Sequence, residues 1–515
     1  MRVRQNLFVL TALLCLAVNA SAIDFRIING HVIDGSEDGG APNRIVDIVD
    51  DRIVYVGPVR SMPEAAQVID ARGSIVSPGF IDPHTHAEDD LFNEERSANL
   101  PYLFQGVATV FIGNDGGGGE VAESRERLEA LAPGTNVGLF SGHGSVRRRV
   151  MGFDDRDPST EELELMKALV RRDMEEGALG LSTGLFYAPG SYASTPEVIA
   201  LAQVAAEFGG VYESHLRDES NYSIGLIGAV EEALQVGLEA NIPVHIAHIK
   251  ALDPAVHGAS TQLIEMIEQA NASGRRVTAD QYPWLASGTR LSNALVPRSL
   301  MSGGLEELHR LLTESFEMVR QGMVGNLARR GGADALLITG ISPYQGMTLA
   351  EAAEQAGEDV LQTAANIIIA GDPSVASFMM DAPDVEQLMA QPWVLTSSDG
   401  SNGHPRKYAT FPKKFKTYVF EQAFLTTTEF VYRSTGLTAE TFGLCDRGRL
   451  AEGLVADVVI WSPLSYSPNA TYEAPERLAS GVSHLFVNGV LAISDGHRTE
   501  QRPGRIVTRS CSNSR

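Results

Sequence analysis

The chain has 515 residues, 43% of them hydrophobic, with 65 acidic against 41 Lys and Arg side chains and a formal net charge of −24. That length can bury a large core, as one big domain with an accessory or as two to three domains, and the acidity argues against nucleic acid as a partner, since a phosphate backbone wants a basic surface. Three cysteines in all exclude a fold resting on a disulfide framework.

Residues 1–22 read as a signal peptide: Arg2 and Arg4, an apolar run from Leu7 to Val18, then the small-x-small site Ala20-Ser21-Ala22. The run is short for a bilayer span, so no stable membrane anchor is expected and the protein is expected to be exported, to a bacterial periplasm or outside the cell. Cleavage would leave Cys445 and Cys511; the latter sits in a polar tail, so no bridge between them is expected.

Residues 23–77 hold short alternating apolar runs such as Phe25-Arg26-Ile27-Ile28 and Ile53-Val54-Tyr55-Val56, punctuated by Gly, Asn and Asp as in small antiparallel strands. The same texture returns in 441–510, in Val458-Val459-Ile460-Trp461 and Leu485-Phe486-Val487. Both chain ends are expected to build one small β-sandwich domain.

Over residues 78–440 buried-strand candidates alternate with helical stretches: Ala108–Ile112, Thr160–Gly177, Gly180–Thr183, Pro196–Phe208, Gly210–Tyr212, Ile224–Ala240, Val244–His248, Thr261–Ser273 and Arg276–Asp280. This βα alternation predicts an α/β fold, a (β/α)8 TIM-like barrel, with a doubly wound open sheet as the fallback. No nucleotide fingerprint follows any strand; Gly116 to Gly119 is a glycine run without a Walker lysine. Residues 290–347, charged and poor in barrel signals, are a candidate lid.

Barrel chemistry collects where strands end. The run Ser74–Ile81 leads into His84 and His86, which at i and i+2 of a strand would share a face. Later strand ends supply Asn114 and Asp115, then His215, then His248 and Lys250, then Asp280 and Tyr282, and finally Asp399. Alone, His248 reads more readily as a packed core histidine than as a ligand, and Asp115 and Asp399, each before glycine, as good turn residues. Their recurrence at one end of successive strands makes four histidines and two aspartates an N/O ligand set suited to zinc.

The segments Ser77–His86, Gln105–Val110, Gly142–Gly144, Gly177–Tyr187, Glu213–Glu219, His248–Lys250, Asp280–Pro283, Ser398–Gly400, His404–Pro412 and Asp446–Gly448 with Ala456–Asp457 resemble, in family order, the metal-dependent amidohydrolase superfamily and within it the D-aminoacylases. The first of these is superfamily-wide; Ser182–Tyr187 and His404–Arg406 are more specific. The resemblance implies a β/α barrel with a split β domain, a metal held by His215, His248 and a bridging residue, and a second position surrounded by His84, His86 and Asp399. The family usually has cysteine where this chain has Asp115. A carboxylate has two oxygens and is harder than thiolate, so Asp115 is expected to bridge, with one or two Zn2+ per chain.

The chemistry expected is hydrolysis of N-acyl-D-amino acids, a small-molecule substrate class, with Asp399 as general base. His143, between two glycines, is a candidate donor to the oxyanion or to a metal ligand. By the same resemblance Lys250, Arg406, Tyr187 and Tyr282 contact the substrate carboxylate, with Ser287 a weaker candidate; Lys250 would share a face with His248 if the strand persists. The alternatives are a cyclic-amide hydrolase or dipeptidase on the same barrel, and a non-catalytic binding protein. A carbamylated lysine typifies several enzymes of the first kind, and the bridging position here reads as Asp115 instead.

Overall fold

The computed structural model describes residues 23–60 and 63–511; the signal-peptide reading of 1–22 lies outside them. Eight strands carry the centre of the molecule: β1 (Phe80–Asp82), β2 (Val107–Ile112), β3 (Asn136–Leu139, continued past Phe140 by Ser141–Gly142), β4 (Gly180–Gly184), β5 (Val211–His215), β6 (Val244–Ile246), β7 (Val277–Gln281) and β8 (Val394–Thr396). Each pairs in parallel with the next. A parallel bridge between Thr85 and Gly400 links the last strand's exit to the first's, and the Asp399 amide donates to the His84 carbonyl at 2.9 Å. β1, β2, β4, β5 and β8 are buried along their whole length, as strands covered on both faces must be.

Helices Thr160–Glu175, Thr195–Glu207, Gly225–Glu239 and Ser260–Ala272 follow successive strands from β3 to β6. They bury Val170, Leu201, Val230 and Ile267 among the residues of the main core. The first is started by a capping box in which the Ser159 hydroxyl accepts from the Glu162 amide.

The apolar run Ser74–Ile81 is divided. Ile75–Pro78 pairs antiparallel with Val458–Trp461 in a nine-stranded sheet drawn from both chain ends, whereas Phe80–Asp82 opens the barrel. Gly79 is the pivot, because a Cβ there would lie 2.5 Å from that of Ala108. The nine-stranded sheet forks at Ile23–Val32, which pairs with Pro42–Val49 on one side and with Ala65–Asp70 and then Ile75–Pro78 on the other. It encloses a separate core that includes Ile27, Val46, Ile48, Val458, Ile460 and Phe486.

Cys445 and Cys511 are bridged, with Cα atoms 5.0 Å apart, against the expectation from sequence. The polar tail is held after all: Ile506–Val507 pairs in parallel beside β3, and the Ser510 and Cys511 amides both donate to the Gly443 carbonyl. Backbone pairing, which composition does not report, delivers the second cysteine to the first.

Between β7 and β8 lies an insertion with a three-stranded antiparallel sheet, Ala286–Arg290, Leu336–Ile338 and Ser374–Phe378, the last in the middle. Helices Gly304–Glu314, Phe316–Arg329, Leu349–Ala356 and Val360–Gly371 pack on it around a core of its own that includes Leu308, Val319, Met323, Leu336 and Ile368. The segment 290–347 falls inside this larger unit.

Candidate metal centre

The metal-binding side chains proposed from sequence converge at the strand exits. β1 stops at Asp82, so His84 and His86 lie beyond the strand rather than on it, with ring centroids 5.5 Å apart. Asp82 Oδ1 accepts from the amides of His84 (3.3 Å) and Ser398 (3.1 Å), stitching the first exit to the last. Asp115 (φ 56°), His248 (φ 33°) and Asp399 (φ 46°) all adopt left-handed backbone, a conformation that costs roughly 1 kcal/mol or more for such residues and gathers at functional sites. The glycine after Asp115 is required: a Cβ on Gly116 would lie 2.8 Å from the Gly184 amide nitrogen, so only glycine lets this loop seat against the end of β4.

Asp115 is the hub. Its Oδ1 lies 3.4 Å from His84 Nε2, 3.4 Å from His215 Nδ1 and 3.5 Å from His248 Nε2, and its Oδ2 lies 3.5 Å from His86 Nε2. Asp399 Oδ1 is 3.2 Å from His86 Nε2 and 3.8 Å from His84 Nε2. Asp115 Oδ1, His84 Nε2 and both ring nitrogens of His215 are buried without a hydrogen-bond partner, an arrangement native interiors avoid unless something else satisfies them. A cation about 2.0–2.1 Å from each of four tetrahedral donors separates those donors by about 3.3 Å. Asp115–His215–His248 and His84–His86–Asp115 are therefore two candidate ligand groups sharing one carboxylate, with His84–His248–Asp399 a third overlapping set. The donor set fits zinc, and the two oxygens of Asp115 face different histidines.

Carboxylates behind the ring fix which nitrogen faces inward. His84 Nδ1 lies 3.1 Å from Glu213 Oε1, so a proton held there leaves its Nε2 lone pair pointing at Asp115. His248 Nδ1 lies 2.8 Å from the Lys250 ammonium, itself a donor, and 3.2 Å from Glu219 Oε1, so only the tautomer protonated at Nδ1, with Glu219 as acceptor, frees its Nε2 for a metal. Asp280 takes the His248 amide (3.0 Å) and His245 Nε2 (2.8 Å). Burial pushes the Asp280 carboxyl up, but His245 and the nearby imidazoles outweigh it and hold it at about 2. Burial also favours a protonated Asp399, yet Arg406 and the facing histidines hold that carboxyl well below its ordinary range. Asp82 has no such partner, and burial lifts it to about 7.

The other sequence candidates divide. Tyr187 packs its ring 4.7 Å from that of His215. Lys250 reaches His248 and Glu219 (Nζ 2.8 Å from Nδ1 and 2.5 Å from Oε1), although the strand does not persist: β6 ends at Ile246 and His248 turns left-handed. Arg406 Nη1 sits 2.7 Å from Asp399 Oδ2, with its guanidinium carbon 4.8 Å from the Tyr282 ring centroid. Ser287 Oγ is buried with no partner. His143 turns elsewhere: its Nε2 is 2.9 Å from Glu197 Oε1, a carboxylate that Arg147 also engages. Glu213 and Glu219 open and close the Glu213–Glu219 motif, which by itself assigns them no role. Glu213 precedes His215 by two on β5 and so shares its face; Glu219 lies in the following loop, where no periodicity marks it.

The amidohydrolase family profile matches residues 67–493. The chain belongs to the amidohydrolase family. It is 30% identical to the D-aminoacylase of Alcaligenes xylosoxydans xylosoxydans, over 96% of this chain and 99% of the relative, and 33% identical to the N-acyl-D-aspartate deacylase of the same organism, over 94% and 95%. The structure of N-acyl-D-glutamate deacylase from Bordetella bronchiseptica, complexed with zinc and a phosphonate mimic of the tetrahedral intermediate, superposes with a TM-score of 0.80 at 29% identity, covering 95% of this chain and all of that one. In this amidohydrolase the insertion roofs the centre: Ser287, Gly288, Thr289 and Arg330 line the same cavity as His215, Glu219, His248 and Asp399.

Proposed function

We propose that this amidohydrolase is a zinc-dependent N-acyl-D-amino-acid deacylase, hydrolysing the amide to a D-amino acid and a carboxylate. The observation that carries the reading is the shared carboxylate of Asp115 facing four imidazoles beside an ionised Asp399, in a chain whose near-full-length relatives are named for this activity.

His215, His248 and Asp115 would hold one zinc, and His84, His86 and Asp399, beside Asp115, would surround a second position. When bound, zinc acidifies a coordinated water and polarises the scissile carbonyl. Asp399 accepts the proton of the attacking water and returns it to the leaving nitrogen, a role open to it because its carboxylate is ionised and 3.2 Å from His86 Nε2. Arg406 orients Asp399 through its 2.7 Å contact; its Nε, buried without a partner, remains for a substrate carboxylate. Lys250 supplies the second cation for that carboxylate, and Tyr187, Tyr282 and Ser287 shape the space around it.

Export is part of the same proposal. It rests on the pattern of residues 1–22 and gains support from the Cys445–Cys511 bridge, which suits an oxidising compartment; among the described residues no helix is long and apolar enough to cross a membrane. Mass analysis of the protein from a periplasmic extract checks it: loss of residues 1–22 supports export, and an intact chain confined to the cytosol opposes it. The activity itself is tested with N-acetyl amino acids in both chiralities, scoring the free amino acid released. D-selective release is expected, and equal rates on both enantiomers would remove the stereochemical claim.

A further inference from the structure

Two arginines of the insertion, Arg330 buried and Arg298 half-buried, have no acid to neutralise them. Arg330, just past the helix Phe316–Arg329, is 2% exposed and lines the catalytic cavity, yet its Nε is buried without a partner and its guanidinium makes no hydrogen bond or ion pair among the described residues. Arg298 donates from Nε to the Phe186 carbonyl, but its Nη2 is likewise buried and unpartnered. Both guanidinium groups stand over the same two rings: Arg298 lies 3.3 Å from the Phe186 centroid and 4.9 Å from that of Tyr222, Arg330 6.0 and 5.7 Å. Phe186 in turn packs 5.6 Å from the His215 ring, so the pair stands one side chain away from the metal ligands.

This arrangement opposes ordinary folding economics. Buried cations are normally paired, and the chain has 65 acidic residues from which to draw a partner. Burial holds the Arg298 guanidinium down to about 10, and the charge of Arg330 adds to that. The acid acting on Arg298, Asp218, spends its carboxylate on the amides of Ser220, Ser223 and Gly225. Contact with the rings offsets part of the cost, but it leaves forked N–H groups aimed at nothing in the protein. An anion from outside would satisfy them. The α-carboxylate of the substrate already has Lys250 and Arg406, so the anion is a second one.

Building on the deacylase reading, we infer that Arg330, backed by Arg298, binds the side-chain carboxylate of the substrate, making N-acyl-D-glutamate and N-acyl-D-aspartate the preferred class. A charged hydrogen bond between desolvated partners, with the penalty of leaving the arginine unpaired when the substrate is neutral, sets the expected preference at ~30-fold or more in kcat/KM.

The test compares N-acetyl-D-glutamate and N-acetyl-D-aspartate with the neutral near-isostere N-acetyl-D-glutamine, with N-acetyl-D-methionine, and with N-succinyl-D-methionine, whose extra carboxylate is on the acyl group. The wild type is expected to prefer an acidic side chain over D-glutamine by that margin. Arg330→Met should shrink the ratio to about threefold, Arg330→Lys should retain part of it, and Arg298→Met should give an intermediate loss. Should Arg330→Met fail to fold, as judged by thermal melting, the wild-type ratio and Arg298→Met decide. A wild type indifferent to the side-chain charge, or a preference untouched by these variants, overturns the assignment while leaving the deacylase reading in place. Arginine-dependent gain for N-succinyl-D-methionine in place of the D-glutamate derivative overturns it too, by putting the carboxylate on the acyl side. If no N-acyl-D-amino acid is cleaved, the deacylase reading falls and this assignment with it.

Discussion

Replacing Glu219 by alanine removes a carboxylate with three buried partners: Lys250 Nζ at 2.5 Å, His248 Nδ1 at 3.2 Å and His215 Nε2 at 3.8 Å. Two separable losses follow. Lys250 keeps a buried ammonium with no opposing charge, and breaking such a pair costs about 3–5 kcal/mol. His248 loses the acceptor that fixes its tautomer, and removal of a carboxylate behind a metal-binding histidine typically costs ~10–100-fold in metal affinity, or about 1.4–2.8 kcal/mol. Glu219→Gln separates the two, since its amide oxygen still accepts from His248 Nδ1–H but offers Lys250 no charge. Urea unfolding of the zinc-free proteins reads the first loss, and competition against a chromophoric chelator reads the second. Both variants should be destabilised, while zinc affinity should fall markedly only for Glu219→Ala. Wild-type zinc affinity in Glu219→Ala would refute the reasoning.

Asp399→Asn should lower kcat by ~10²–10⁴ while at least one zinc stays bound, because Asp115, His215 and His248 are untouched; metal analysis and kcat on one sample check it, and a kcat within tenfold of wild type removes Asp399 as the base. Asp280 is held at about 2 in the folded protein against about 3.9 when unfolded. Its folded value is the lower one, so its contribution of about 2–3 kcal/mol is present above pH ~3.9 and lost as pH falls toward 2; urea unfolding of zinc-free protein across that range should show a slope that Asp280→Asn lacks. The Cys445–Cys511 bridge closes a loop with a sequence separation of 66, worth about 4 kcal/mol in the chain-entropy account. Cys445→Ser should move the urea midpoint down accordingly, and an unmoved midpoint would show the tail contributes nothing.

Local periodicity carried the sequence reading a long way. The helix expected over 196–208 runs from Thr195 to Glu207, and that over 224–240 from Gly225 to Glu239, since each depends on an apolar stripe visible within its own residues. Strand-end placement also brought out His84, His86, Asp115, His215, His248 and Asp399, which the fold gathers from five exits. What stayed hidden depends on distant partners. β3 contains Asn136 and Gly138 and looks like a turn; Asn136 is buried because its amide donates to Thr109 and Asp457 and accepts from Asn488. The short strands Leu336–Ile338 and Ser374–Phe378 mean nothing until they pair with each other. Arg330 and Arg298 lie in the insertion, where ordinary surface arginines would look the same in sequence; their lack of acidic partners exists only in three dimensions.

Stepwise addition of zinc to chelator-stripped protein, with bound metal and the initial rate of N-acetyl-D-glutamate hydrolysis followed together, puts the central claim to the most direct trial. The account predicts no activity without metal, activity returning as the first zinc binds, and no comparable return for the L-enantiomer. Hydrolysis by the metal-free protein, or zinc binding that restores no hydrolysis, would contradict it.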